Sequence, residues 1–214
     1  MTRIKLCGLV RPADVDAANA ARPDYAGFVV DVPASRRSVS PAEVRLLAAR
    51  LDEGIHAVGV FVDAPVRTVA ELLNDGTLDA AQLHGSEDAA YVSALRELTD
   101  KPLVQAFRVA SAADVARAEA SAADCVLLDS GAGSGRTFDW ELARACGRPF
   151  FLAGGLEPGT IARAVAAARP FAVDLSSGVE TDGTKDAGKM ARAVAEAHGA
   201  GAPEAETTRA REQR

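Results

Sequence analysis

Five short polar clusters each follow an apolar run in this 214-residue chain: Cys7-Gly8, Gln82-Leu83-His84-Gly85, Asp129-Ser130-Gly131, Gly154-Gly155, and Asp174 with Ser176-Ser177-Gly178. A thiol, two carboxyl groups and an imidazole are the side chains that move protons. Paired glycines beside serines let backbone N–H groups approach anionic oxygens closely. The combination predicts acid–base chemistry next to an anion site.

Each cluster also has a plain structural reading. Cys7 could be a small buried hydrophobe, the usual fate of a free cysteine. It could equally be a ligand-facing thiol that serves as a base, if neighbours such as Lys5 or a helix N-terminus lower its pKa. Asp129 ends an otherwise apolar run, so its carboxyl group either braces a loop or caps a helix, or it works on a ligand. His84 could be a satisfied rim histidine, and nothing stands at metal-ligand spacing from it. Asp174 fits a ligand contact or a rim brace. In Ser35-Arg36-Arg37-Ser38, one inward-facing arginine would suit a carboxylate. The glycine loops at Gly154-Gly155 and at Ser177-Gly178 form the expected phosphate site. A third loop, 131–137 with Gly133 and Gly135, could close over the same anion.

The elements that must position these groups alternate regularly. Apolar runs at 3–7, 24–30, 56–62, 79–83, 103–108, 124–129, 149–153 and 171–176 read as strands buried on both faces, the mark of a parallel sheet. Between them, amphipathic stretches read as helices at 12–21, 65–74, 111–120, 139–145, 157–168 and 186–198. Two more open at Ser40, with a Ser40…Glu43 capping box, and at Ser86, where Glu87 and Asp88 favour a helix N-terminus. Eight strand–helix units predict an α/β, single-domain (β/α)8 TIM barrel over residues 1–198, in preference to an open doubly wound sheet. All five clusters then fall on the rim at the strands' carboxyl ends. That leaves about 25 residues per unit, with little room for an added domain or a large lid. Residues 199–214 lack apolar periodicity and read as a frayed tail.

Composition narrows the partners. There are 24 basic and 30 acidic residues, a net charge of −6, which argues against broad binding to nucleic acid or to anionic membranes. Cys7, Cys125 and Cys146 form no CxxC pair and no disulfide framework, so a reducing, cytoplasmic setting is expected. Cys125, early in a strand, and Cys146, late in a helix, read as structural. No signal-peptide core or membrane-spanning run is present.

The motifs together resemble the phosphoribosylanthranilate isomerase family of tryptophan biosynthesis. The resemblance rests on Lys5-Leu6-Cys7-Gly8-Leu9, Gly27-Phe28-Val29, Ser35-Arg36-Arg37-Ser38-Val39-Ser40, Val58-Gly59-Val60-Phe61-Val62 and Gln82-Leu83-His84-Gly85. It continues through Leu128-Asp129, Gly133-Ser134-Gly135-Arg136-Thr137-Phe138-Asp139-Trp140, Leu152-Ala153-Gly154-Gly155-Leu156, Ser176-Ser177-Gly178-Val179-Glu180 and Lys185-Asp186. It spans residues 3 to about 198, in order and at every strand end. Three positions depart from the family pattern: Arg36 stands for proline, Ser38 for tyrosine and Arg136 for lysine.

The resemblance implies an Amadori rearrangement of N-(5′-phosphoribosyl)anthranilate, with Asp129 as general acid and Cys7 as general base. It implies Arg37, rather than Arg36, on the anthranilate carboxylate, and His84 and Asp174 at the sugar. The phosphate falls to Gly154, Gly155, Ser177 and Gly178, helped by Gly133 and Gly135. No metal, nucleotide or flavin is implied. The partner is a small phosphosugar, and the chain is expected as a monomer or a homodimer. Asp129 would have to stay protonated near neutral pH, and Cys7 would have to lose its proton. Two alternatives are the histidine-pathway aminoaldose isomerase and a non-catalytic phosphosugar-binding barrel. Strand 1 ending in cysteine weighs against the first, and the presence of both Cys7 and Asp129 weighs against the second.

Overall fold

Apolar runs without alternation need cover on both faces, and a ring of helices around a closed parallel sheet supplies it. The computed structural model describes residues 1–129 and 140–200. The strands are β1 (Arg3–Cys7), β2 (Tyr25–Val30), β3 (His56–Phe61), β4 (Ala80–Leu83), β5 (Leu103–Arg108), β6 (Cys125–Asp129), β7 (Phe150–Ala153) and β8 (Ala172–Leu175). The helices are α1 (Pro12–Ala21), α2 (Pro41–Ala48), α3 (Val66–Asn74), α4 (Ala89–Arg96), α5 (Ala112–Glu119), α6 (Trp140–Arg144), α7 (Ile161–Ala168) and α8 (Ala187–Ala200). Every neighbouring strand pair is parallel, and β1 pairs with both β2 and β8, so the sheet closes into the expected barrel. Two short additions go beyond the sequence pattern. Ser38–Val39 runs parallel to the end of β2, and Glu180–Thr181 pairs with Thr184–Lys185 in a small hairpin after β8.

The pleat sorts the side chains into two cores. Residues such as Ile4, Leu6, Phe28, Phe61, Leu83, Val126, Leu152 and Val173 face outward and are buried under the helices. A smaller cluster, Val104, Leu127, Phe151, Ala153 and Ala172, fills the lumen. Register links then fix the site: Lys5 opposes Asp174, Cys7 opposes Gly27, and Asp129 opposes Ala153. Lys5 and Cys7, two residues apart, share the lumen face with Asp174.

Helix starts show where local chemistry decided the boundary. Ser40 caps α2 as expected: its Oγ accepts from Glu43 N at 3.2 Å, and Glu43 Oε2 accepts from Ser40 N at 2.7 Å. The helix expected to open at Ser86 instead opens after Asp88, whose Oδ1 accepts from Tyr91 N at 2.9 Å. Ser86 is drawn away by Asp63 Oδ1, to which it donates from both N and Oγ at 2.7 Å. Helix α7 begins at Ile161 rather than 157, because 157–160 form a turn with Gly159 at φ +99°. Cys146 lies just beyond α6 rather than inside a helix. Helix α8 continues through Ala200, so the first two residues of the expected tail are helical. Among the described residues, no helix is long and apolar enough to cross a membrane.

Candidate active site

The carboxyl ends of the strands open into one cavity of about 320 Å³. Its lining includes Cys7 from β1, His84 after β4, Asp129 from β6 and Asp174 from β8. Arg37 borders it from the segment after β2, and Gly154, Gly155, Ser177 and Gly178 border it from the β7 and β8 loops. Nine of the eleven residues singled out from the sequence thus share one space. The other two, Gly133 and Gly135, lie outside the described residues, as does Arg136.

The floor of the cavity is a buried ion pair. Lys5 Nζ lies 2.9 Å from Asp174 Oδ2, with side chains only 1% and 8% exposed. Burial alone would push the ammonium down. The Asp174 carboxylate and the neighbouring Cys7 outweigh it and hold Lys5 above the ordinary lysine value. The second carboxylate oxygen, Asp174 Oδ1, is buried and has no hydrogen-bond partner among the described residues. Asp174 lines the cavity, and a buried carboxylate oxygen without a partner can accept from a ligand's donor.

Cys7 is 8% exposed. Burial pushes its thiol up from the ordinary value, while the Lys5 ammonium pulls it back, followed more weakly by Lys185. The sequence makes the base role conditional on neighbours such as Lys5 or a helix N-terminus lowering this pKa. The direction of its pull is as expected, but desolvation wins. Space for the two side chains comes from Gly27 on β2. A Cβ there would lie 2.9 Å from Cys7 Sγ and 3.0 Å from Lys5 Cε.

Across the cavity, His84 Nδ1 sits 2.7 Å from Gln82 Nε2, and its Nε2 is 3.8 Å from Asp129 Oδ2. With Gln82 donating, Nδ1 is the acceptor and Nε2 carries the proton. Burial lowers the imidazole's pKa, which keeps the ring neutral at pH 7.

Arg37 and Arg36 part company. Arg37 points toward the cavity, 23% exposed, and its Nε and Nη2 donate to the two oxygens of Glu180 at 2.7 and 2.9 Å. Arg36, 54% exposed, also reaches Glu180 and donates to Gly183 O at 2.7 Å, but does not line the cavity. Lys185 Nζ adds a third cation, 2.9 Å from Glu180 Oε1. Despite burial, Arg37 and Lys185 hold the Glu180 carboxyl down at about 2. Three cations face one carboxylate, so this edge of the site is positive within a chain of net charge −6.

The loops expected at the phosphate are shaped by their backbone. Gly154 and Gly155 have φ of +99° and +65°, where only glycine is comfortable. Gly178, in a one-turn 3₁₀ helix at Ser177–Val179, approaches the Leu156 carbonyl so closely that no Cβ fits. The β7 and β8 loops therefore meet backbone to backbone at Gly178 and Leu156.

Sequence reasoning did not single out Glu180 and Gln82 as site residues. Glu180 had one signal: the adjacent arginines 36 and 37 need an acidic partner somewhere. That partner is 143 residues away from Arg37 along the chain, and only the closed barrel brings it near.

Comparison with known proteins agrees with the geometry. Residues 4–196 match the family described as N-(5′-phosphoribosyl)anthranilate (PRA) isomerase. An N-(5′-phosphoribosyl)anthranilate isomerase from Endomicrobium trichonymphae is 43% identical over 199 residues, covering 91% of this chain and 97% of that protein. The crystal structure of phosphoribosyl anthranilate isomerase from Thermotoga maritima superposes with a TM-score of 0.84 at 34% identity, covering 93% of this chain and all of that one. A phosphoribosyl anthranilate isomerase solved in complex with reduced 1-(o-carboxyphenylamino)-1-deoxyribulose 5-phosphate gives 0.82 at 33% identity over 93% and 100% of the two chains. A family match covers nearly the whole barrel and a relative is 43% identical over 91% of this chain, which therefore belongs to the N-(5′-phosphoribosyl)anthranilate isomerase family.

Proposed function

We propose that this chain converts N-(5′-phosphoribosyl)anthranilate into 1-(2-carboxyphenylamino)-1-deoxyribulose 5-phosphate, a step of tryptophan biosynthesis. One observation supports it most directly: a thiol and a carboxyl group open into the same cavity as a glycine cradle and an arginine. The rearrangement is redox-neutral and needs only proton transfers. Asp129, in its protonated form, gives a proton to the furanose ring oxygen as the C1–O bond breaks, leaving an iminium ion. Cys7, as thiolate, takes the proton from C2, and the electron pair of that C–H bond forms the enolamine. Tautomerisation to the ketone returns the protons and leaves composition unchanged.

Binding energy comes from the two anionic ends. The phosphate rests on Gly154, Gly155, Ser177 and Gly178, and the anthranilate carboxylate pairs with Arg37. Asp174 Oδ1 accepts from a sugar hydroxyl, and neutral His84 donates from Nε2 beside Asp129. All the described groups come from one chain, so the reading holds for a monomer or a homodimer. The three cysteines are free, and a working Cys7 must stay reduced, which suits the cytoplasm.

The test is a fluorescence assay. Purified protein added to phosphoribosylanthranilate, without metal, should abolish the substrate's anthranilate fluorescence catalytically. No change in signal, with inorganic phosphate still bound, would favour a binding-only barrel.

A further inference from the structure

Lys5 has no place in the proposed proton transfers, yet it is among the largest fully buried side chains of the described residues. A buried lysine is costly unless its charge does something nearby. We propose that Lys5 is a positioning residue for proton transfer: Asp174 locks it beneath the strand-end rim, and its ammonium stabilises the Cys7 thiolate. The inference rests on the reading of Cys7 as the base.

The geometry carries the argument. Lys5 and Cys7 alternate on β1 and share the lumen face, and Lys5 is the register partner of Asp174 on β8. The Asp174 contact of 2.9 Å fixes the ammonium. On the other side, Gly27 leaves a gap in which Cys7 Sγ and Lys5 Cε both lie within 3.0 Å of a single point. Any larger residue at 27 would wedge the two apart.

Other charges also bear on the thiol. Asp174 opposes its ionisation; Lys185 from the hairpin and Arg37 from the segment after β2 favour it. His84 and Asp129 stand across the cavity. Among the cations, Lys5 acts on Cys7 most strongly. Arg37 and Lys185 are already committed to Glu180. A thiol raised by burial has to lose its proton to work, and Lys5 supplies the field that makes this possible.

The pair also explains how a carboxylate can stand beside a base. Asp174 without Lys5 would oppose the thiolate. With Lys5 held on Oδ2, Asp174 keeps only Oδ1 for the sugar, and the net charge of the floor is zero.

The experiment measures the thiol directly. Iodoacetamide alkylation of the Cys7 peptide, followed by mass spectrometry from about pH 7 to 10.5, reports the thiolate fraction. Lys5→Met leaves Asp174 buried without its partner, so Lys5→Met/Asp174→Asn, which removes both charges, is measured beside it. In Lys5→Met, Cys7 alkylation at a given pH should slow at least about tenfold, a midpoint rise of one unit or more. In the double variant, which also loses the opposing Asp174 charge, it should slow less but in the same direction. The rising limb of kcat/KM against pH should move the same way in Lys5→Met; a purely structural role would lower that curve without shifting it. An unchanged or lowered Cys7 midpoint in the double variant overturns the proposal. Turnover retained by Cys7→Ala would overturn the base role, and with it the part played by Lys5 in catalysis, while leaving the measured field on the thiol intact.

Discussion

Arg37 and Glu180 meet in a two-point ion pair, Nε to Oε1 at 2.7 Å and Nη2 to Oε2 at 2.9 Å, across 143 positions of sequence. The fork geometry holds the guanidinium plane in one orientation at the cavity edge. Because Arg36 and Lys185 share the same carboxylate, Glu180 cannot neutralise all three, and positive charge is left over for an incoming anion.

Arg37→Ala should therefore raise KM about 10- to 100-fold, the scale of a charge-assisted contact, with a smaller effect on kcat. Arg36→Ala, mostly exposed, should change KM less than about fivefold. A larger effect at Arg36 would mean that the wrong arginine has been assigned. Glu180→Ala acts through Arg37, so the two changes should be non-additive by about 0.5–3 kcal/mol in a double-mutant cycle. A substrate analogue lacking the carboxylate should be insensitive to both. Equal losses on that analogue would show that Glu180 only supports the fold.

Glu180 also sets an acid limit. Its carboxyl is held at about 2 in the folded protein, against about 4.3 unfolded. A depressed carboxyl contributes stability above its unfolded value and loses it as pH falls through the folded one. The contribution is on the order of 3 kcal/mol at neutral pH, lost between about pH 4.5 and 2. Urea unfolding in that window should show a shallower pH slope in Glu180→Gln than in the native chain. Identical slopes would mean that other carboxylates dominate acid unfolding. On the alkaline side the sign reverses: Lys5, held above its ordinary value, contributes stability that fades only as pH rises through its folded pKa.

The strand ends were legible because each sets a period signal against a punctuation signal. At Cys125–Asp129, four apolar residues stop at one carboxylate. Eight strand–helix units imply the barrel, and the barrel puts Cys7, His84, Asp129 and Asp174 on one rim. What could not be read were partners fixed by closure. Nothing local marks Lys5 as opposing Asp174, or Arg37 as opposing Glu180, because both contacts join distant parts of the chain. Glu87 is hard to read for a related reason. Its place in the sequence suits an N-terminal charge on α4, yet it is buried and accepts from Asp63 N and Gly85 N at 2.8 and 2.7 Å, tying the β3 and β4 loops together.

The proposed acid and base should separate cleanly from the binding groups. Cys7→Ala and Asp129→Asn should each lower kcat at least about a hundredfold with KM changed far less. Both replacements are close in size, and each variant should still bind the product analogue. Near-native turnover in either would remove that residue from the mechanism.

The proposed phosphate cradle gives the sharpest steric test. Gly178 lies so close to the Leu156 carbonyl that an added Cβ must displace backbone, and backbone cannot yield as a flexible side chain can. Gly178→Ala should therefore spread the β7 and β8 loops and weaken binding of inorganic phosphate and of substrate together, about tenfold or more. Gly155, at φ +65°, has open space around its missing Cβ. Gly155→Ala should meet only the backbone cost of about 1–2 kcal/mol and fall mainly on stability. Measuring phosphate inhibition constants and melting temperatures for the two variants checks the distinction. If Gly178→Ala leaves phosphate affinity unchanged while Gly155→Ala abolishes it, the anion sits on the β7 loop alone rather than between the two.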